Sequence, residues 1–472
     1  MNKTPLLMLL AALLAIVSPQ TVTGLELDEQ EIRFEARSGE STLAYEGSLL
    51  VPEYRGNPDS RMISMRYVRF PSRSDTPRAP LVYLSGGPGG SGTATARGNR
   101  YALFVAMAEF TDVIALDQRG TGLSDAPPVC RSSQREPGTR RISDDAFAGL
   151  YRAAVKDCAS FWAQEGTDLR GYTTSEIVQD LSALREHLGA EKLSLWGISY
   201  GSHLALAAMK DIPGEIERVI IASVEGLDQT VKLPARTDAY FAKLGESLGE
   251  DDLPGMMQAV HETLDDQPVL LSLNIADRGE VDYLLQRRDV QMIASASIAD
   301  PGRAAQLVAL YKAMHGGNYD VLRPILARFA TPDQPIALRA MPIAVDRASG
   351  ISAGRLAAVT KQSDNGLLGP YLNFPMPQIL GELQQLDLGN AFRTKPTSAI
   401  PTLVFTGSLD GRTYPESQRE AISGLSDATT ITIEGAGHNL FMTMPEVGET
   451  MGIFLQGRSV EAATWVVPAS PD

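Results

Sequence analysis

The chain is poor in the residues that build metal and redox centres. Two cysteines, Cys130 and Cys158, and five histidines occur in 472 residues. There is no H-E-x-x-H and no clustered Cys/His spacing, so no metal site is expected. Basic residues are in deficit, with 42 Lys and Arg against 57 Asp and Glu and a net charge of −15. Nucleic-acid binding relies on basic surface to neutralise phosphates, and this balance argues against it. Long apolar runs are missing as well. The stretch Leu6 to Val17 falls short of the roughly 20 residues that a membrane-crossing helix takes. No later segment does better, so no membrane span is expected. Internal repeats and low-complexity tracts are also absent.

What the N-terminus does contain is the pattern of a secretory signal over residues 1–24. Lys3 supplies a positive charge, Leu6 to Val17 the apolar stretch, and Val22 and Gly24 the small residues of a cleavage site. Export to a periplasm or out of the cell follows as the expectation. In an oxidising compartment the even pair Cys130 and Cys158 reads as a disulfide.

Residues 25–80 read as β-hairpins, with EIRFEA, STLAYEGSLLVP and MISMRYVRFP separated by Gly, Asn, Pro and Ser clusters. From residue 81 short apolar runs alternate with helical patterns, which predicts an α/β fold with a mostly parallel sheet. The strand candidates are 81–84, 112–116, 193–198, 218–224, 401–407 and 430–433. An amphipathic helix precedes the third of these, with Ile177, Leu181, Leu184 and Leu188 on one face and a capping-box pattern at Thr173 and Glu176. Residues 228–395 differ in character, rich in helical patterns with Pro and Gly breaks and without evident strands. They are expected to be a mainly helical cap inserted between core segments 25–227 and 396–472. The last residues, VVPASPD, read as a loose tail.

The run LSLWGISYGSHLALAAM, residues 193–209, is a strand, a turn and a helix around Gly197-Ile198-Ser199-Tyr200-Gly201. A G-x-S-x-G in that setting makes a sharp turn that presents its serine at the top of the sheet. Ser199 is the expected nucleophile. A serine hydroxyl needs a base, and the base an orienting acid, in the chain order Ser, acid, His. His438, in EGAGHNLF directly after a strand, is the fitting base. His187, His203, His261 and His315 fit packing or surface roles better. Asp410, in GSLDGRTYP at the end of the preceding strand, is the expected acid, with Asp427 the alternative carboxylate in the interval.

The blocks GGPGGSG, DQRGTGLS (117–124) and GISYGS, with the Asp410 and His438 loops, resemble the α/β-hydrolase superfamily. Within it the chain is similar to the proline iminopeptidase and tripeptidyl aminopeptidase group of serine peptidases. The resemblance implies an α/β-hydrolase fold, an inserted helical cap, a peptide or small acyl substrate and no cofactor. It further implies an oxyanion hole from the backbone N–H groups of Tyr200 and Gly87. On this reading the Gly87-x-Gly89-x-x-Gly92 spacing is not a dinucleotide loop, and Pro88 lacks the N–H that a phosphate cradle would use. Asp117 and Arg119 are expected to form a structural charge pair. Carboxylates of the cap or rim would bind a free α-amino group. Glu225 is one candidate, with an ion pair to an arginine as its alternative role. Ser85 stands where proline-specific members usually have His, which points away from strict proline specificity. The expected activity is an exported aminopeptidase, with a carboxylic-ester or lactone hydrolase as the alternative.

Overall fold

The computed structural model describes residues 27–468, so the expected leader over 1–24 lies outside the described residues. In chain order the strands are β1 (Glu29–Glu35), β2 (Ser41–Pro52), β3 (Met62–Phe70), β4 (Leu81–Leu84), β5 (Val113–Asp117), β6 (Cys130–Arg135) and β7 (Leu193–Ser199). They continue as β8 (Ile216–Val224), β9 (Val269–Ile275), β10 (Gly279–Leu285), β11 (Pro335–Leu338), β12 (Thr402–Gly407), β13 (Ala428–Glu434) and β14 (Ala463–Val466). Ten form one sheet in the order β1-β2-β3-β5-β4-β7-β8-β12-β13-β14. The strands from β1 to β3 pair antiparallel, as do β3 and β5, and all further pairs are parallel.

Burial explains why the strand sequences look as they do. Every residue of β4, β5 and β12 is buried, because helices cover both faces of a parallel sheet and leave no exposed face for polar residues. Two apolar clusters fill those faces. One contains Leu84, Ile177, Leu181, Tyr200 and Leu204; the other contains Phe104, Trp196, Phe405 and Phe441.

Several expectations need correction. Residues 463–466 add β14 to the sheet, in parallel register with β13, so Val466, the first residue of the expected tail, is held in the sheet. The insertion between β8 and β12 is mainly helical, yet it also holds the β9–β10 hairpin and β11, which pairs with β6 of the core. It has an apolar cluster of its own, including Phe241, Met257, Leu273 and Tyr311. The capping box at Thr173 is only half formed. Thr173 Oγ1 accepts from Glu176 N at 3.4 Å, while the Glu176 carboxylate turns to Arg55 at 2.8 Å.

Asp117 and Arg119 do not pair with each other. Asp117 accepts from Ser91 Oγ at 2.7 Å, Thr93 N at 3.1 Å, Thr93 Oγ1 at 2.7 Å and Leu123 N at 2.8 Å. It therefore fastens the glycine-rich loop after β4 to the turn after β5. Arg119, fully buried, forms a two-pronged bond to Asp180 at 2.6 Å on each arm and donates to the carbonyls of Glu53 and Gly171. Burial works against the Arg119 charge, but Asp180 outweighs it and holds the guanidinium firmly protonated. The adjacent DQ and RG dipeptides thus tie down two different neighbours. The two cysteines are joined, with Cα atoms 5.5 Å apart, linking β6 to the helix Asp144–Gln164. Closing a 28-residue separation stabilises by about 3–4 kcal/mol on a chain-entropy model.

Asp180→Ala removes the one carboxylate bonded to both arms of Arg119. Urea unfolding is expected to show a loss of about 3–5 kcal/mol, as for other broken buried ion pairs. A loss below about 1 kcal/mol would show that the pair does not anchor this turn.

Candidate active site

Ser199 ends β7 and sits at φ +55° and ψ −126°, a backbone region that a non-glycine residue rarely enters. The flanking glycines explain how the chain tolerates the turn. A Cβ on Gly197 would lie 2.4 Å from the Gly201 carbonyl oxygen, and one on Gly201 would lie 1.9 Å from that of Leu84. Only hydrogen fits in either place. The helix Tyr200–Asp211 begins at once, so the Tyr200 N–H belongs to the first turn, where amides have no intrahelical acceptor. Ser202 Oγ donates to the Ser199 carbonyl at 2.6 Å and accepts from Glu225 N at 2.9 Å, tying the turn to the end of β8.

The loop after β4 comes up beside this serine. A Cβ on Gly86 would meet Ile198 O at 2.9 Å and Ser199 Cβ at 3.1 Å. Gly87 is at φ +129°, and its N–H donates to no acceptor among the described residues. Ser91 caps the short helix that follows and bonds to Asp117.

His438 and Asp410 leave the ends of β13 and β12. The His438 Nδ1 lies 3.0 Å from both oxygens of Asp410. Asp410 also accepts from Arg412 N and Thr413 N, each at 2.9 Å, and from Thr413 Oγ1 at 2.7 Å. Burial raises the Asp410 carboxyl, but His438 and the Thr413 bonds outweigh it and hold it below the usual carboxylate range. The carboxylate stays charged, and Nδ1 is held as the protonated nitrogen, which leaves Nε2 free to take a proton. The His438 backbone is fixed too: its N–H donates to Ala299 O at 2.7 Å and its carbonyl accepts from Ser223 Oγ at 2.7 Å. Ser199 Oγ makes no hydrogen bond to His438 among the described residues; both line one cavity of about 1080 Å³, with Gly87, Ser85 and Glu225. Nucleophile and base often close up only when substrate is bound.

The remaining histidines and the alternative acid lie elsewhere. His203 is buried, between Gly226 O at 3.2 Å and Ser349 Oγ at 3.1 Å, and burial lowers its pKa. His261 bonds to Tyr311 at 2.8 Å and is pushed down to about 4 by burial. His187 bonds to Tyr67 at 3.0 Å, and His315 is exposed. Asp427 is exposed at the opposite end of β13 from His438. Among the described residues no group of three or more His, Cys, Asp or Glu side chains could hold a metal ion, and no helix is long and apolar enough to cross a membrane.

Glu225 does reach the cavity wall, but its charge is already met. Its carboxylate pairs with Lys232 rather than with an arginine, both groups being buried. Burial raises the Glu225 carboxyl, and Lys232, His203 and Arg412 together outweigh it and bring the pKa below its usual value. Next to the main cavity lies a second chamber of about 430 Å³. The two share Gly87, Glu225, Lys232, Ala299 and Arg412. Asp346, from the insertion helix Ala340–Ser349, faces this second chamber. Its carboxylate has no hydrogen-bond donor and no cation within 4 Å among the described residues. Burial, and then the nearby Glu225, push it up to about 7. Sequence pattern gave no sign of Lys232, Asp346 or Arg412, because each joins the site through the folding of distant segments.

Residues 79–274 match the family model described as alpha/beta hydrolase fold. The serine protease Hip1 of Mycobacterium tuberculosis is 29% identical over 188 residues, covering 37% of this chain and 35% of the relative. A tripeptidyl aminopeptidase of Streptomyces lividans is 30% identical over 188 residues, covering 38% of this chain and 35% of the relative. A proline iminopeptidase of Arabidopsis thaliana is 28% identical over 145 residues, covering 31% and 26%. The chain thus spans about a third of the length of the first curated relatives it matches. With its central sheet, its serine turn between β7 and a helix, and its insertion before β12, the protein has an α/β-hydrolase fold and is similar, over part of its length, to the tripeptidyl aminopeptidase and proline iminopeptidase group of serine peptidases.

Proposed function

We propose that this protein is an exported serine aminopeptidase that releases an N-terminal residue or short peptide from peptides with a free N-terminus. The observation that carries the reading is the convergence of Ser199, His438 and Gly87 on one cavity, with Asp410 bonded to His438 Nδ1. Ser199 Oγ attacks the carbonyl carbon while His438 Nε2 takes its proton. The N–H groups of Tyr200 and Gly87 donate to the oxyanion, and Asp410 steadies the imidazolium. His438 then returns the proton to the leaving amine, and water hydrolyses the acyl-enzyme. The similarity to named aminopeptidases supports the peptide substrate, and the leader pattern and the disulfide support export. An aminopeptidase needs an anion for the substrate's ammonium group. Asp346 suits that role better than Glu225, because Lys232 already neutralises Glu225.

Paired aryl-amides with free and N-acetylated termini test this directly. Wild type is expected to cleave the free form and Ser199→Ala neither. Equal turnover of both forms would point instead to an ester or lactone hydrolase on the same machinery, and amide cleavage surviving in Ser199→Ala would remove Ser199 from the mechanism.

At Gly87, valine adds a Cβ 2.9 Å from Gly89 N at a φ that L side chains avoid. Gly87→Val is expected to fold, by circular dichroism, and to lose about 100-fold or more in kcat, as for a missing oxyanion donor. Near-normal kcat in the folded variant would remove Gly87 from the oxyanion hole.

Asp346 is neutral below about 7 and charged above it. KM for free-amine substrates is therefore expected to fall as pH rises through that value, and Asp346→Asn to abolish the dependence. A KM profile that is the same in both proteins would exclude Asp346 as the amine anchor.

A further inference from the structure

The second chamber contains a guanidinium that no carboxylate among the described residues touches directly, although the charges of Asp346 and Glu225 lie close by. Four charged side chains line it: Glu225, Lys232, Asp346 and Arg412. Glu225 and Lys232 neutralise each other. Arg412 has no carboxylate within 4 Å among the described residues, and its guanidinium donates through Nη1 alone, to Ser295 O at 3.2 Å and Ser295 Oγ at 3.3 Å. A guanidinium has five N–H donors in a fork that matches a carboxylate. Here Nε and Nη2 donate to nothing among the described residues.

The backbone fixes where this fork stands. Arg412 lies two residues beyond Asp410, and its own N–H donates to the Asp410 carboxylate at 2.9 Å. Ser295, from the insertion helix Arg287–Ser297, holds the other end of the side chain. Arg412 is thus braced between the acid of the site and the insertion, and it lines both cavities.

The lining residues also indicate which part of a substrate would meet it. His438 must reach the leaving group to protonate it, and His438 lines the main cavity but not the second chamber. Gly87 lines both. A substrate whose carbonyl oxygen rests on Gly87 can therefore keep its leaving group in the main cavity beside His438 while its acyl group extends into the second chamber. The rest of that chamber wall includes Met292, Tyr371, Phe374 and Met376, which suit the carbon chain between the carbonyl and a charged end.

We propose that Arg412 is a specificity residue, and that the second chamber selects acyl groups bearing a carboxylate, in a peptide an N-terminal residue with an acidic side chain. The inference rests on the Ser199 acyl-transfer reading but not on the choice between amide and ester substrates. The test uses two matched pairs: glutamyl and glutaminyl para-nitroanilides, and the para-nitrophenyl esters of adipic (monoester) and hexanoic acid. Each is measured with wild type, Arg412→Gln, Arg412→Lys and Ser199→Ala. Wild type is expected to favour the carboxylate-bearing member in kcat/KM in whichever pair it hydrolyses. Arg412→Gln is expected to lower that ratio roughly tenfold or more, mainly through KM, with Arg412→Lys retaining more of it. The wild-type ratio stands even if a variant fails to fold. Ser199-dependent turnover without a carboxylate preference, or with a preference unchanged in Arg412→Gln, overturns this inference alone. Absence of Ser199-dependent turnover with all four substrates overturns the acyl-transfer reading and this inference with it.

Discussion

The site depends on three lengths of backbone packed closer than side chains allow. Gly201 lies against the Leu84 carbonyl, Gly197 against Gly201, and Gly86 against Ile198 and Ser199. This contact holds Ser199 at a positive φ and brings the glycine-rich loop against it. Strain of this kind persists only where the surroundings over-determine it. The surroundings here are the fully buried strand β4, the strand β7 buried up to Ser199, and the Ser202 hydroxyl that joins the turn to β8. Asp117 extends the same constraint outward by fastening the glycine-rich loop.

A second constraint couples the insertion to the chemistry. The segment from Ser295 to Pro301 rests on both loops that carry Asp410 and His438. Ala299 O accepts the His438 amide, Ser295 holds Arg412, and Ile298 O would meet a Cβ on Gly411 at 2.3 Å. Gly437 leaves room for Pro301 in the same way, at 2.3 Å. The insertion therefore does more than roof the cavity. It holds the His438 backbone and supplies Asp346 to the second chamber, so on the proposed reading a change in its packing reaches base and specificity together.

How much of this was legible in the sequence depended on the range of the cause. The parallel strands were visible because burial on both faces makes them unbroken apolar runs, as in LVYL. The G-x-S-x-G turn was visible because its steric demand falls on residues two apart. Asp410 and His438 were legible as residues in loops that follow strands, and the structure brings them to 3.0 Å. The strand β14 and the β9–β10 hairpin were missed because short, partly exposed strands carry little pattern. Asp117 and Arg119 were misread as partners because nearness in sequence stood in for nearness in space. Their true partners, Thr93 and Asp180, are 24 and 61 residues away. Lys232, Asp346 and Arg412 meet only in the folded chain, and nothing local marks them.

The account turns on Ser199 being an activated nucleophile rather than a serine in a tight turn. A fluorophosphonate probe at low molar excess, followed by peptide mapping, measures this without any assumption about substrate. The geometry requires near-complete labelling on Ser199 alone, abolished when the protein is first unfolded. A folded protein that stays unlabelled, or that carries the label on another serine, would contradict it.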